Sequence, residues 1–190
     1  TPDLDPVELI RAREEEQRRA ADALGARGEV VMLGHTDGEL ANTMELREQL
    51  ALWIRRLRPD VVLSHDPWKR YMLHPDHRAT GMGAIDGIVA ARDHLFFTHQ
   101  LTGGMDKHRP RAVLLWAADE PDPWEDISAT FETKISALLC HSSQSETTLG
   151  NAVEGDERRE AFTSRLLEWS AAEGAAAGIA LAEAFKLLRP

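Results

Sequence analysis

The chain of 190 residues is short of the groups on which several functional classes depend. It has one cysteine, Cys140, which excludes an internal disulfide and a thiolate metal cage. With no CxxC spacing, a reducing compartment is expected, the cytoplasm by default. No apolar run approaches the ~20 residues of a membrane span and no secretory leader opens the chain, so no membrane partner is expected. Positive charge is scarce too: 22 Lys and Arg stand against 32 Asp and Glu, a formal net charge of -10 that would repel nucleic-acid phosphates. A neutral sugar ligand escapes that objection. Internal repeats are absent.

What the chain does have is a hydrophobic fraction of 43%, ordinary for a globular protein, and enough length for a single domain over residues 1–190 with one core. Asp5-Pro6-Val7-Glu8 predicts a capped helix running to Leu24-Gly25, because aspartate caps and proline suits the first turn. Glu29–Leu33 reads as a short buried strand, and His35-Thr36-Asp37-Gly38 as a polar turn after it. Asn42 with Glu45 suggests a second capping box before a helix over Thr43–Arg58. Val61–Ser64 and Arg111–Trp116 read as strands. Helices are expected from Pro75 to about Arg92, from Phe131 to Cys140 and from Asp156 to Glu173. The tail Ile179–Phe185 is ambiguous between strand and helix. Alternating helices and apolar strands imply an α/β, Rossmann-like fold with a mostly parallel sheet flanked by helices. Unusually for such a fold, the chain opens on a helix rather than a central strand.

The strongest chemical signal is His74-Pro75-Asp76-His77, between a strand and a helix. Proline fixes the backbone at the helix start, and two histidines three residues apart share one side of that first turn. A position near the carboxyl edge of a parallel sheet is where such folds place ligands. The positive end of a helix disfavours protonated imidazole, which suits a metal ligand. On its own, however, an HxxH pair supplies only two donors and is equally a capped, solvated loop.

Arg58-Pro59-Asp60-Val61-Val62-Leu63-Ser64-His65-Asp66-Pro67 followed by His74–His77 and Arg78-Ala79-Thr80-Gly81 resembles the LmbE/PIG-L family of zinc-dependent N-deacetylases. So do Arg13-x-x-Glu16 with Leu24-Gly25 upstream, Leu33-Gly34-x-x-Asp37-Gly38 in the turn, Lys134 with His141-Ser142-Ser143-Gln144 downstream, and Ala182-Glu183-Ala184-Phe185 near the end. The motifs cover nearly the whole chain in order, and their combination is far more specific than any one of them.

The resemblance implies hydrolysis of an acetamide on an N-acetylated amino-sugar conjugate, with Zn2+ as cofactor. It makes His77 a metal ligand, His74 a catalytic residue that stabilises the oxyanion or protonates the leaving amine, and Asp76 a group tuning a neighbouring histidine. Arg13 and Asp37 match sugar-contacting positions. The family's early HPDD motif, with two further zinc ligands and the general base, has no counterpart in these residues. The expectation is therefore that the first strand and first metal motif lie before Thr1. An amidase of a larger N-acyl or thiol conjugate, and a metal-free sugar-binding relative, are the alternatives.

The remaining candidates have plain structural readings. Arg13 would pair with Glu14 or Glu16, and Asp37 is ordinary turn chemistry before Gly38. Trp68 and Tyr71 would stack on sugar rings while Lys69 and Arg70 meet an anionic substituent, or the aromatics pack on the core. His35 reads as a satisfied loop residue rather than one pointing into the site, Lys134 as a solvated face or a structural pairing, and Trp53, Trp116, Trp124 and Trp169 as core or interface. His94, His99 and His108 read as surface. A strand edge left open would invite a homo-oligomer.

Overall fold

The computed structural model describes residues 5–144 and 155–190. Its elements are α1 (Pro6–Ala23), α2 (Met44–Leu57), β1 (Val61–His65), α3 (Pro75–Ala91), β2 (Ala112–Trp116), β3 (Trp124–Asp126), α4 (Phe131–Leu138), α5 (Asp156–Ala177) and β4 (Ala182–Leu188). The α/β architecture is as the alternation predicts. The strands form one sheet in the order β1-β2-β4-β3. β1 and β2 are parallel, from Val61 opposite Ala112 to His65 opposite Trp116. β4 runs antiparallel to β2, with Trp116 opposite Phe185, so the sheet is mixed. No described helix is long and apolar enough to cross a membrane.

The chain divides into two compact units, and β3 and β4 are where it passes from one to the other. The first comprises Thr1–Leu33 and Glu125–Glu183. Its core is Phe131, Ile135 and Phe162. Asp5 caps α1 by accepting from the Val7 N–H at 2.9 Å, as predicted. Glu29–Leu33 forms no strand. Val30, Val31 and Leu33 are only half-buried, and an extended run without a ladder partner among the described residues is not a strand. The ambiguous tail resolves as β4, and the short β3 carried no sequence signal.

The second unit comprises Gly34–Trp124 and Ala184–Pro190. Its core packs Ala51 and Ile54 of α2 against Ile88, Ala90 and Ala91 of α3 and Val113 and Leu115 of β2. Here the cap of α2 is Thr43, whose hydroxyl accepts from the Leu46 N–H at 3.3 Å. Asn42, the expected cap, instead donates to Asp86 at 3.1 Å. Glycines let α3 lie close to its neighbours. A Cβ on Gly87 would come within 2.8 Å of Leu50, and one on Gly81 within 2.6 Å of the His65 carbonyl oxygen and 2.9 Å of Pro67. The second approach clamps the start of α3 onto the end of β1, and so sets the candidate site.

Candidate active site at the start of helix α3

His74 takes the N-cap position of α3 in extended backbone, and Pro75 supplies the first turn. Three histidines gather here. The His74 and His77 rings stack with centroids 4.6 Å apart, and His77 stacks in turn on His65 at 4.1 Å and 12°. His65 comes from the last position of β1, which the clamp at Gly81 brings under the helix start. On its far side the Trp116 indole N–H donates to His65 Nδ1 at 2.9 Å, placing the remaining ring proton of the neutral imidazole on Nε2.

The turn predicted before α2 meets the same helix end. Asp76 accepts from the Gly38 N–H at 2.7 Å and the Leu40 N–H at 3.3 Å, holding the Asp37 turn against the start of α3. An Asp37 carboxylate oxygen then lies 3.6 Å from His74 Nε2. Asp37, His74 and Asp76 offer one ligand atom each within 4.8 Å of one another. His77 stands outside that group although its ring touches His74.

Electrostatics keep the inner histidines neutral. Burial pushes the His65 imidazole down to about 4, with the nearby His77 and His74 adding to the shift. Burial also lowers His77, with His74 acting the same way, and outweighs the opposing charges of Asp76 and Asp37. Neutral imidazole is the form that binds a metal. Two carboxylates and two neighbouring imidazoles suit a borderline divalent ion, so the residues present fit the implied metal.

Asp37, His74, Asp76 and His77 are thus brought together. Arg13 lies half-buried on α1 in the other unit. On the same helix Glu14 binds Arg18 at 3.0 Å. Glu16, 2% exposed, accepts from the Ser142 hydroxyl at 2.8 Å and from the Ser143 N–H and hydroxyl at 2.7 Å each. Burial raises the Glu16 carboxyl, but these bonds and the nearby His141 leave it below its ordinary value. The two motifs around Glu16 and Ser143 therefore hold each other. Lys134 is a structural pairing with Glu183, and His35 is satisfied by Gln49 at 3.0 Å. Much of the serine-rich motif's continuation, 145–154, lies outside the described residues.

Sequence reasoning missed His65 as part of the cluster, and read Trp116 as core. The usable signal was position: both end parallel strands at the carboxyl edge, where the next side chains face the site.

Residues 2–88 match the family described as PIG-L: GlcNAc-PI de-N-acetylase. Over 137 residues the sequence is 37% identical to a diacetylchitobiose deacetylase of Thermococcus kodakarensis, covering 72% of this chain and 51% of that one. It is 26% identical over 163 residues to a probable N-acetyl-alpha-D-glucosaminyl L-malate deacetylase 2 of Bacillus anthracis, covering 85% and 67%. The N,N'-diacetylchitobiose deacetylase of Pyrococcus horikoshii, solved with its inhibitor MPG, superposes with a TM-score of 0.85 at 27% identity over 100% of this chain and 67% of that one. The chain spans about half the length of the Thermococcus relative.

Proposed function

Since the chain belongs to the PIG-L/LmbE family, we propose that it is a zinc-dependent N-deacetylase acting on an N-acetylglucosamine conjugate at the start of helix α3. The observation that carries the reading is the convergence of Asp37, His74 and Asp76 beside the neutral His77 at one helix start. His77 is the proposed zinc ligand. A bound zinc lowers the pKa of its water and polarises an amide carbonyl, which permits hydrolysis near neutral pH.

The chain's own residues do the rest. His74, at the exposed end of the histidine stack, is placed to donate a hydrogen bond to a developing oxyanion or a proton to the departing amine. Asp37, 3.6 Å from His74, is proposed to orient that imidazole and accept a sugar hydroxyl. Asp76 holds the Asp37 turn in place through Gly38 and Leu40, and its charge opposes the lowering of His77. Arg13 as a second sugar contact rests on the motif match alone.

The converging group favours a second reading, in which Asp37 and Asp76 join His74 around the ion and His77 supports them. Asp76 already accepts two backbone N–H groups, which argues for a holding role. The test is acetate release from N-acetylglucosamine conjugates by the intact protein, before and after chelation and on readdition of zinc. Zinc-restored release supports the reading. Release unaffected by chelation contradicts the role of the metal, and binding without release supports instead a metal-free sugar-binding relative.

A further inference from the structure

A histidine serves well as a metal ligand only if the plane of its ring is fixed. The outer torsion of an imidazole has broad, roughly two-fold preferences, so rotamer choice by itself leaves that plane loose. Ligating histidines ordinarily close this freedom with a hydrogen bond from the ring nitrogen that faces away from the ion. Among the described residues no hydrogen bond reaches the His77 ring. Its faces are covered instead. His65 stacks on it at 4.1 Å and 12°, and His74 at 4.6 Å and 17°. The series runs His65, His77, His74, so the middle ring turns out of plane only by pushing a neighbour aside. Its edge, where the nitrogen lone pair lies, is the part left to meet a ligand.

The two neighbours are not equivalent. His74 ends the series with its side chain 43% exposed, and it is the group proposed to give up a proton to the departing amine. That task suits a mobile ring better than a fixed wall. His65 is the fixed one. The Trp116 indole N–H donates to its Nδ1 at 2.9 Å, with the two rings tilted by 60°. Trp116 stands opposite His65 in the register of β1 and β2, and the buried Phe185 stands opposite Trp116 on β4. The wall is therefore one rung across three strands. Backbone contact sets its spacing from the helix, because a Cβ on Gly81 of α3 would come within 2.6 Å of the His65 carbonyl oxygen.

We infer that His65, fixed by Trp116, is a positioning residue for His77, and that it sets the plane of that ring by stacking where a hydrogen bond would ordinarily do so. This rests on the reading above that His77 is the zinc ligand. It gives a use to His65 and Trp116, which the proposed hydrolysis leaves without one. What matters in His65 is a flat ring in a fixed place, not a nitrogen turned towards His77.

The test uses the intact protein and its His65→Leu, His65→Phe and Trp116→Phe variants, each confirmed as folded by circular dichroism. Leucine keeps apolar bulk without a plane, and phenylalanine keeps the plane without a nitrogen. Trp116→Phe frees the His65 ring from its donor. Zinc affinity is read by competition with a chelating indicator, and the order of the His77 ring in metal-free protein by NMR relaxation of its ring carbons. His65→Leu should weaken zinc binding about tenfold, the lower end of what loss of an orienting partner costs a metal site. His65→Phe should stay within about threefold of wild type, with Trp116→Phe between the two. The His77 ring should lose order in His65→Leu and keep it in His65→Phe.

Zinc bound as tightly by His65→Leu as by wild type, or as weakly by His65→Phe as by His65→Leu, overturns the positioning role. Zinc retained in His77→Ala overturns the ligand reading separately. Ring order in metal-free protein then decides the positioning by itself: unchanged order in His65→Leu refutes it, and a loss that His65→Phe restores upholds it. Should His65→Leu fail to fold, Trp116→Phe carries the same comparison, lowered His77 order supporting the role and unchanged order refuting it.

Discussion

The two ends of helix α3 solve opposite problems. At its C-terminal end the free carbonyls are capped by Arg55 of α2, a cation only 1% exposed. Its guanidinium donates to the carbonyls of Ala90, Asp93 and Phe96 at 2.8–2.9 Å and to Gln100 Oε1 at 2.8 Å. A positive charge at the negative end of the helix dipole, with every strong donor used, is a structural solution. At the N-terminal end stand three imidazoles stacked in series, the inner two held neutral, with carboxylates close by. One end satisfies its orphan groups within the chain. The other gathers imidazoles and carboxylates at one point, and that contrast supports the proposal that it is the working end.

The largest effect should come from spoiling the satisfied end. Arg55→Met leaves the Asp93 and Phe96 carbonyls and the buried Gln100 Oε1 without their guanidinium donor, and should lower unfolding stability by about 3–5 kcal/mol in a denaturant titration. A loss below about 1 kcal/mol would mean that water replaces the guanidinium easily and the two ends differ less than argued.

Next in size is the clamp between α3 and β1. Gly81→Ala puts a methyl against the His65 carbonyl and Pro67. It should cost about 1–3 kcal/mol and displace His65 from His77. Thermal melts give the stability, and histidine NMR shifts show whether the cluster moved. An unchanged cluster would separate the clamp from the site.

Asp76→Asn acts at the working end. Gly38 and Leu40 donate to different carboxylate oxygens, so the amide keeps an acceptor for one and turns its NH2 on the other, and stability should fall by about 1–2 kcal/mol. Loss of its charge should lower the His77 imidazole further, because Asp76 now opposes that lowering. Titration of the His77 ring by NMR in metal-free protein checks the direction.

The smallest effect is a slope. His65 titrates near 4 in the fold and near 6.5 when unfolded. Between those values the unfolded chain takes up a proton that the folded chain refuses, so His65 removes stability as pH falls from 6.5 towards 4 and adds no pH dependence above that window. Metal-free His65→Asn should therefore show a shallower decline over that range than wild type. A parallel decline would assign the slope to other groups.

How much of this the sequence could reveal depended on whether the cause was local. Pro75 and Asp5 announced their helix starts because a fixed φ and a short carboxylate act within one turn. The choice of Thr43 over Asn42 as cap was decided by Asp86, 44 residues from Asn42 in the chain. Glu29–Leu33 has strand composition, but a strand also needs a neighbour. Nothing in the sequence reading singled out Arg55, because a charged residue is seldom fully buried. Its place one turn after the fully buried Ala51 was the clue that it faced inward. In the site, His74, Asp76 and His77 were legible because they sit on one turn. His65 and Trp116 were not, because only the register of β1 with β2 brings them level.

The central claim is that the start of α3 holds a metal through His77. It is tested most directly by elemental analysis of the intact protein beside His77→Ala and Asp37→Asn, each first confirmed as folded by circular dichroism. The account predicts about one zinc per chain in wild type, its loss in His77→Ala and its retention in Asp37→Asn. Zinc retained in His77→Ala but lost in Asp37→Asn would contradict it, and would give the ion to Asp37, His74 and Asp76 instead.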